Sequence, residues 1–295
     1  MATRSTRDVR PDATVADGEA RTQDGKVGST SIGRTMRTLE LLAGEPRGLL
    51  VTDLANALEV NRAIPHRILA DLTELGYVIQ DPRTERYRVT FKVGSLGLRQ
   101  LETAGIIRWA QDELDKLATK TRELVRLAVV SENTLRWVAK AQGSASALTL
   151  DGVSGAQVVL HATASGKAWL STLPDDEAAA FLTEHGLVAQ TTRTETDLTQ
   201  VLHDIALTRT RGFAFVEEEM EVGVCAIAVP IVPPESADGR AVATVSIAGP
   251  VARLGYDRLV GYAPALTAVA HQLGAQWHTY EYMAALSEPV AAEQR

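Results

Sequence analysis

Apolar residues between Leu50 and Leu75 recur every three or four positions, in two runs parted by Glu59-Val60-Asn61. This spacing predicts two helices joined by a tight turn. In the first, Leu54, Ala57 and Leu58 share a face, Thr52 stands at the N-cap and Asp53 falls in the first turn. In the second, Ile64, Ile68, Leu72 and Leu75 make one apolar face. At about 100° per residue, Arg62, Ala63, His66 and Arg67 lie on the opposite face. Asn61 can cap this helix, and Gly76 ends it at C′. Pro65 pushes Ile64 away from the α region, so the regular helix is expected to start close to Pro65, with Asn61–Ile64 as a distorted entry.

After Gly76 the pattern shortens to strand length. Tyr77–Gln80 and Tyr87–Thr90 can pair around Asp81-Pro82-Arg83-Thr84-Glu85, with Arg83, Arg86 and Arg88 on or beside the turn. Upstream, Ser31 can cap a helix in which Ile32, Met36, Leu39 and Ala43 share a face, ended by Gly44-Glu45-Pro46. Three helices followed by an arginine-bearing hairpin form a winged helix-turn-helix closing near Phe91. Such a unit binds double-stranded DNA, with the second helix of the pair in the major groove and the wing on phosphate or the minor groove. A helical hairpin with a solvated basic face is the plainer reading, and the order of all four parts argues against it.

Residues 92–122 read as linker helices. Gly94, Gly97 and Gly105 predict an interrupted helix over Lys92–Gly105, and Ile106, Ala110, Leu114, Leu117 and Thr121 define an amphipathic one after it. Strand patterns begin at Leu124: Leu124–Val130, Leu135–Ala141, Ala147–Leu150 and Gln157–Leu160. Helices are expected near Thr163–Thr172, Pro174–Glu184 (Pro174 at N1) and Thr196–Arg211. Strands return at Phe213–Glu217, Val222–Ile231 and Ala241–Gly249, and a final helix spans about Asp257–Trp277. Strands, helices, then strands predict an α+β domain over 123–280 with a largely antiparallel sheet.

Composition adjusts this picture. A length of 295 residues suits two domains, and a hydrophobic fraction of 45% is ordinary for globular chains. The formal net charge of -7 means that any DNA contact comes from a local basic patch on an acidic molecule. Residues 1–28 carry almost no large apolar side chain and predict a disordered tail, and 281–295 are expected to form a flexible one. Cys225, the single cysteine, excludes an internal disulfide framework and a cysteine-rich zinc site. No apolar run is long enough for a bilayer and no secretory h-region is present, so a cytoplasmic protein without a membrane partner is expected.

Catalytic motifs fail on inspection. Ser165-Gly166-Lys167 resembles the end of a P-loop, but His161 stands where the first glycine belongs and Ala168 replaces the Mg²⁺-holding hydroxyl. No Gly-x-Ser-x-Gly elbow exists, and the histidines are scattered without a His-Glu-x-x-His. Cys225 reads as a buried thiol and His161 as a hydrogen-bonded structural residue. Glu217, Glu218, Glu219 and Glu221 lie on a strand, where neighbours face opposite ways, and read as an acidic edge rather than a metal cluster. No cofactor and no enzymatic activity are expected. Glycines and small residues at strand ends and helix starts suit a small-molecule pocket.

Four segments now carry a resemblance: SIGRTMRTLELLA at Ser31–Ala43, HATASGKAWL at His161–Leu170, RGFAFVEEEMEVGV at Arg211–Val224 and ATVSIAGP at Ala243–Pro250. In this order the chain resembles the IclR family of bacterial transcriptional regulators over about Ser31–Leu273. The resemblance implies a winged helix-turn-helix, a linker helix and a GAF-like or profilin-like domain that binds a small-molecule effector. It also implies homodimers, often paired into tetramers, on palindromic or repeated operators, with repression the expected mode. A pocket enzyme and a winged-helix protein whose second domain serves only oligomerisation are the alternatives.

Matched residue by residue, the resemblance places Ala147, Leu150 and Val158 on the ligand-facing segment, and Ala164, Ser165 and Gly166 at a helix start whose amides meet a carboxylate. Ser246 and Ala248 match two inward strand positions. Val216 and Ala226 stand where relatives that bind keto acids carry polar groups, and Cys225 falls one residue early. Loss of polar groups at Val216, Ala226 and Ala248 implies a larger or more apolar effector, such as an aromatic acid or amide. For DNA, Arg62 and Arg67 are expected on guanine or phosphate, with Asn61, His66 and Arg86 as secondary contacts and Thr52, Ala63, Ile64 and Arg83 completing the surface. Arg62-Ala63-Ile64 followed by Pro65 departs from the Lys-Ser-Thr run of many relatives.

Overall fold

The computed structural model describes residues 30–104, 106–131, 133–144 and 155–277. The expected tails at 1–28 and 281–295, the strand at 147–150, and the sites Ala147 and Leu150 lie outside the described residues.

Helix α1 (Ser31–Gly44) is capped by Thr30, whose hydroxyl accepts from Gly33 N–H at 3.0 Å, one residue before the expected Ser31. Its buried face also differs from expectation. Thr38 and Leu42 are buried, whereas Ile32 is 78% and Met36 53% exposed. Thr38 tolerates burial because its hydroxyl donates to Arg34 O at 2.8 Å, leaving no polar group unpaired.

Helix α2 (Val51–Ala57) starts after Leu50, not at Thr52. Asp53 reaches back to accept from Leu50 N–H at 2.9 Å, so it does the capping expected of Thr52, which sits half-buried in the first turn. Helix α3 (Ala63–Glu74) begins two residues before Pro65, a correction to the distorted entry. Proline there occupies the first turn, where no amide proton is needed. Gly76, at φ +75°, closes α3: its N–H donates to Thr73 O at 3.0 Å, and Tyr77 N–H donates to Leu72 O at 2.8 Å. The buried face of α3 is Pro65, Ile68, Leu69 and Leu72; Leu75 is 57% exposed. Strands β1 (Val78–Gln80) and β2 (Tyr87–Val89) pair antiparallel as the wing.

Helix α4 (Phe91–Ala104) runs unbroken through Gly94 and Gly97. Each interior glycine costs about 1 kcal/mol relative to alanine but removes no hydrogen bond, so the expected interruption does not follow. Helix α5 (Ile106–Thr121) buries Ala110, Leu114, Leu117 and Thr121, as the periodicity predicts.

The second domain is built on one five-stranded antiparallel sheet: β3 (Leu124–Ser131), β4 (Thr134–Gln142), β5 (Ala214–Glu217), β6 (Val224–Ile231) and β7 (Ala243–Pro250), in the order β4-β3-β7-β6-β5. The first and last strands, β3 and β7, pair at its centre. Gln157–Leu160 is not a strand. Gln157 makes one bridge to Arg136 and Val158 N–H donates to Leu135 O at 2.8 Å, after which the chain turns away.

Period-2 alternation divides the sheet into unlike faces. One face carries Val125, Leu127, Val245, Ile247, Cys225 and Ile227, and packs with α5 and α9 (Tyr256–Ala275). The other carries short side chains and meets α6 (Ala164–Leu170), with α7 (Asp175–His185) and α8 (Leu198–Arg211) beyond it. Pro174 is the N-cap of α7 rather than N1, one position from expectation.

Candidate nucleic-acid interface and effector site

The entry to α3 is built by Asn61, whose side-chain oxygen accepts from Ala63 N–H at 3.0 Å. Burial of Pro65, Ile68 and Leu69 fixes the roll of the helix, so Asn61, Arg62, Ala63, His66 and Arg67 are all exposed together on its outer face. Ile64 does not join them; it packs half-buried against the Leu42–Leu54–Leu69 core. Thr52, in the first turn of α2, is likewise half-buried.

In the wing, Asp81 accepts from Arg83 N–H at 2.8 Å and Thr84 N–H at 3.3 Å, which leaves the Arg83 side chain exposed at the tip. These amides hold the Asp81 carboxyl below its usual range. Arg86 turns inward instead. Its guanidinium donates to Gly48 O at 2.7 Å and lies 3.8 Å from Asp53, so it ties the wing to the start of α2. Arg88 is exposed on β2 and joins Arg83 as an outward cation of the hairpin.

In the second domain, Ala164, Ala168, Ala214, Val216, Ala226, Ala228 and Ala248 form one buried cluster between α6 and the sheet. Ala226 and Ala248 are cross-strand partners, and so are Val216 and Ala226. The structure thus brings together Ala164, Val216, Ala226 and Ala248. Val158 belongs elsewhere, packed with Trp137 and Leu160 at the β4 side. Gly166 is a correction: its N–H is taken by Thr163 Oγ1 at 3.0 Å and so is not offered to a ligand, and a side chain at this position would run into the backbone of Leu160.

Ser246 lies on the inward face of β7, opposite Ala228 on one side and Arg126 on the other. Sequence reasoning missed Arg126. Its guanidinium lies 3.9 Å from the centroid of the Trp137 ring, and burial lowers its pKa to about 10, leaving it charged at neutral pH. The Nε atom is covered and has no hydrogen-bond partner, although the residue's outer atoms keep some exposure. The signal was present: Leu124–Ser131 is apolar on both faces, which marks a central strand, and a lone arginine there is at least partly covered.

Lys167 is fully buried. Its ammonium donates to both Glu219 oxygens at 2.8 Å and to Asp204 at 2.9 Å, linking α6, α8 and the β5–β6 turn. Burial raises the Glu219 pKa even though Lys167 opposes this. The acidic run is therefore not a free edge. Arg193 pairs with Glu217 and Glu218, and Glu218 accepts from Gly223 N–H at 2.7 Å.

His161 is buried with Nε2 3.0 Å from Val188 O, and burial lowers its pKa. Cys225 faces α9, away from the alanine cluster; its thiol donates to Leu254 O at 2.7 Å, and burial raises its pKa to about 11. Among the described residues, no group of three or more His, Cys, Asp or Glu is placed to hold a metal ion, and no helix is long and apolar enough to cross a membrane. A separate cleft of about 210 Å³ opens among Val130, Trp169, Leu173, Val242 and Trp277. It contains none of the expected effector residues.

Residues 98–275 match the family described as bacterial transcriptional regulator IclR C-terminal, and residues 31–82 match the IclR helix-turn-helix domain. The chain is 29% identical over 239 residues to the HTH-type transcriptional regulator KdgR of Escherichia coli, covering 81% of this chain and 89% of that one. A solved transcriptional regulator from Rhodococcus sp. RHA1 is 28% identical with a TM-score of 0.71, over 84% of this chain and 98% of that one. The inducer-binding domain of the PobR transcription factor from Acinetobacter, solved as a double mutant with 3-hydroxybenzoic acid, is 27% identical with a TM-score of 0.51, over 57% of this chain and 96% of that domain.

Proposed function

The chain belongs to the IclR family of bacterial transcriptional regulators, and from that premise we propose that it is a repressor whose hold on operator DNA is set by a small aromatic or apolar organic metabolite. Regulation of transcription through a helix-turn-helix and a ligand-binding domain comes with the family. The observation that carries the DNA half is the shared exposure of Asn61, Arg62, Ala63, His66 and Arg67 on α3 beside Arg83 and Arg88 of the wing. Arg62 and Arg67 supply forks for guanine or phosphate, and the wing arginines neutralise backbone phosphates. Arg86 is assigned to holding the wing, not to the groove.

The alanine-rich inner face supports an effector with an apolar body, because alanine and valine offer such a ligand no polar partner. The 3-hydroxybenzoate held by the PobR domain is of this class. Repression is the simplest mode, since occupying a promoter requires no further surface. Exposed Ile32, Met36 and Phe91 support assembly of two copies, which a palindromic operator would match. The effector acts through its different affinity for two arrangements of the linker helices α4 and α5.

The test is fluorescence anisotropy of the full chain with duplex DNA from upstream of its own gene, across a salt series. Nanomolar, sequence-selective binding that a candidate effector changes is the expected result. Weak binding indifferent to sequence and to every effector would remove this reading.

A further inference from the structure

We propose that Arg126 is the anion receptor of the effector site, so that the effector is a small carboxylate held by Arg126 together with Ser246 and Ser165. The proposal rests on the second domain being a ligand-binding unit. Among the described residues, four buried side-chain polar atoms have no hydrogen-bond partner: Arg126 Nε, Ser165 Oγ, Thr244 Oγ1 and Ser246 Oγ. They are not scattered. Arg126 and Ser246 are directly paired across β3 and β7, and Thr244 follows two residues along the same face. Ser165 lies on α6, the helix that covers that face.

Unpaired polar groups are not a general property of this domain. Buried Lys167, Ser171, Thr121 and Thr208 all have hydrogen-bond partners. Buried polar groups are ordinarily paired, so three orphans at neighbouring positions of one sheet face, with a fourth on the helix that covers it, point to a partner that belongs there. Arg126 specifies its chemistry. A guanidinium donates and cannot accept, so the partner must be an acceptor. Arg126 makes no salt bridge among the described residues, and Glu221 acts on it only from beyond ion-pairing distance, which favours a partner that also brings negative charge.

A planar two-oxygen anion matches the guanidinium fork, and serine hydroxyls can donate to the same oxygens. The guanidinium carbon lies 3.9 Å from the centroid of the Trp137 ring, a contact that restrains the group while its Nε–H has no partner. On the sheet, the other inward neighbours of Ser246 are Ala228, Ala248 and Thr244. A ligand seated there meets one charged end and otherwise short apolar side chains, which excludes a polyhydroxylated body and fits a carboxylate on an apolar or aromatic frame.

The test is calorimetry of the full chain with benzoate, 3-hydroxybenzoate, phenylacetate and octanoate, each beside its primary amide. At least one acid is expected to bind, with its amide weaker by on the order of 10–100-fold. Arg126→Met should bring the acid down to the level of its amide, and Ser246→Ala should weaken the acid alone. Without ligand, Arg126→Met should melt no lower than the parent, because it removes a half-buried charge that has no ion partner; an arginine that served only packing would lower the melting temperature.

Equal binding of acid and amide, retention of acid binding in Arg126→Met, or no binding of any of these acids at millimolar concentration would overturn the assignment. If Arg126→Met does not fold, Arg126→Lys carries the test: it loses the fork and should narrow the acid-to-amide ratio, and an unchanged ratio overturns the proposal. Promoter-DNA binding reports separately. Acid discrimination without DNA binding removes the regulator reading alone, and DNA binding without acid discrimination removes Arg126 alone.

Discussion

Lys167 Nζ lies 2.8 Å from each carboxylate oxygen of Glu219, and the lysine side chain is wholly enclosed. Removing one member leaves the other as an uncompensated buried charge. Lys167→Ala is therefore expected to destabilise the second domain by about 3–5 kcal/mol, measured by urea unfolding. A loss below about 1 kcal/mol would show that water reaches Glu219 freely.

The two arginine classes of the DNA-binding domain should separate. Arg62→Ala is expected to weaken operator binding by about 1–3 kcal/mol with an unchanged melting temperature. Arg86→Ala loses its bond to Gly48 O, so it should lower domain stability by about 1 kcal/mol. Anisotropy and thermal melting on the same two variants decide it; a stability loss for Arg62→Ala and none for Arg86→Ala would reverse the assignments.

Gly166→Ala places a methyl group against the backbone of Leu160, which has no flexible end to move aside. Overpacking of this kind costs about 1–3 kcal/mol or more, and thermal melting by circular dichroism should show it. A neutral outcome would mean that α6 shifts without penalty.

His161 carries a pH dependence of defined sign. Burial depresses its pKa below the ordinary 6.5, so the unfolded chain takes up a proton that the folded chain resists. Its contribution is complete above that value and declines as pH falls below it. His161→Gln should flatten this part of the slope, read as urea midpoints at about pH 7.5 and about pH 5.5. Parallel slopes in the two proteins would show that the imidazole is protonated in place.

Cys225 should resist alkylation in the folded protein. Its thiol is buried, bonded to Leu254 O, and has a pKa raised to about 11. Iodoacetamide at neutral pH is expected to label it only in denaturant, as mass spectrometry would show; native labelling would place the thiol in contact with solvent.

Much of this was legible in the sequence because alternation and capping chemistry are local. The parity of β6 already separates Cys225 from Ala226, and Gly76 already ends α3. The misreadings arose where tertiary packing chose among locally equivalent options. Ile32 and Met36 have the spacing of a buried face, but the core takes Thr38 and Leu42 instead, and Thr38 tolerates burial by satisfying its own hydroxyl. Thr52 looks like a cap, but Asp53 reaches Leu50 N–H first. Arg126 went unnoticed because a strand arginine is ordinarily solvated, and it is the interior place of β3 in the sheet that half-buries this one. Arg86 reads as a wing cation, and nothing in its neighbours along the chain reveals the carbonyl of Gly48.

The pairing of β3 with β7 joins Arg126 to Ser246, residues 120 positions apart, at the middle of the sheet. During synthesis on the ribosome, the helix-turn-helix emerges long before β7 does. A nascent chain holds a complete helix-turn-helix while the sheet of the second domain is still half made. Long-range strand pairing is also slow to form. Under the function proposed above, the sensing unit is thus the last part of the chain to be completed, and a chain truncated before Ser246 is expected to carry the helix-turn-helix without it.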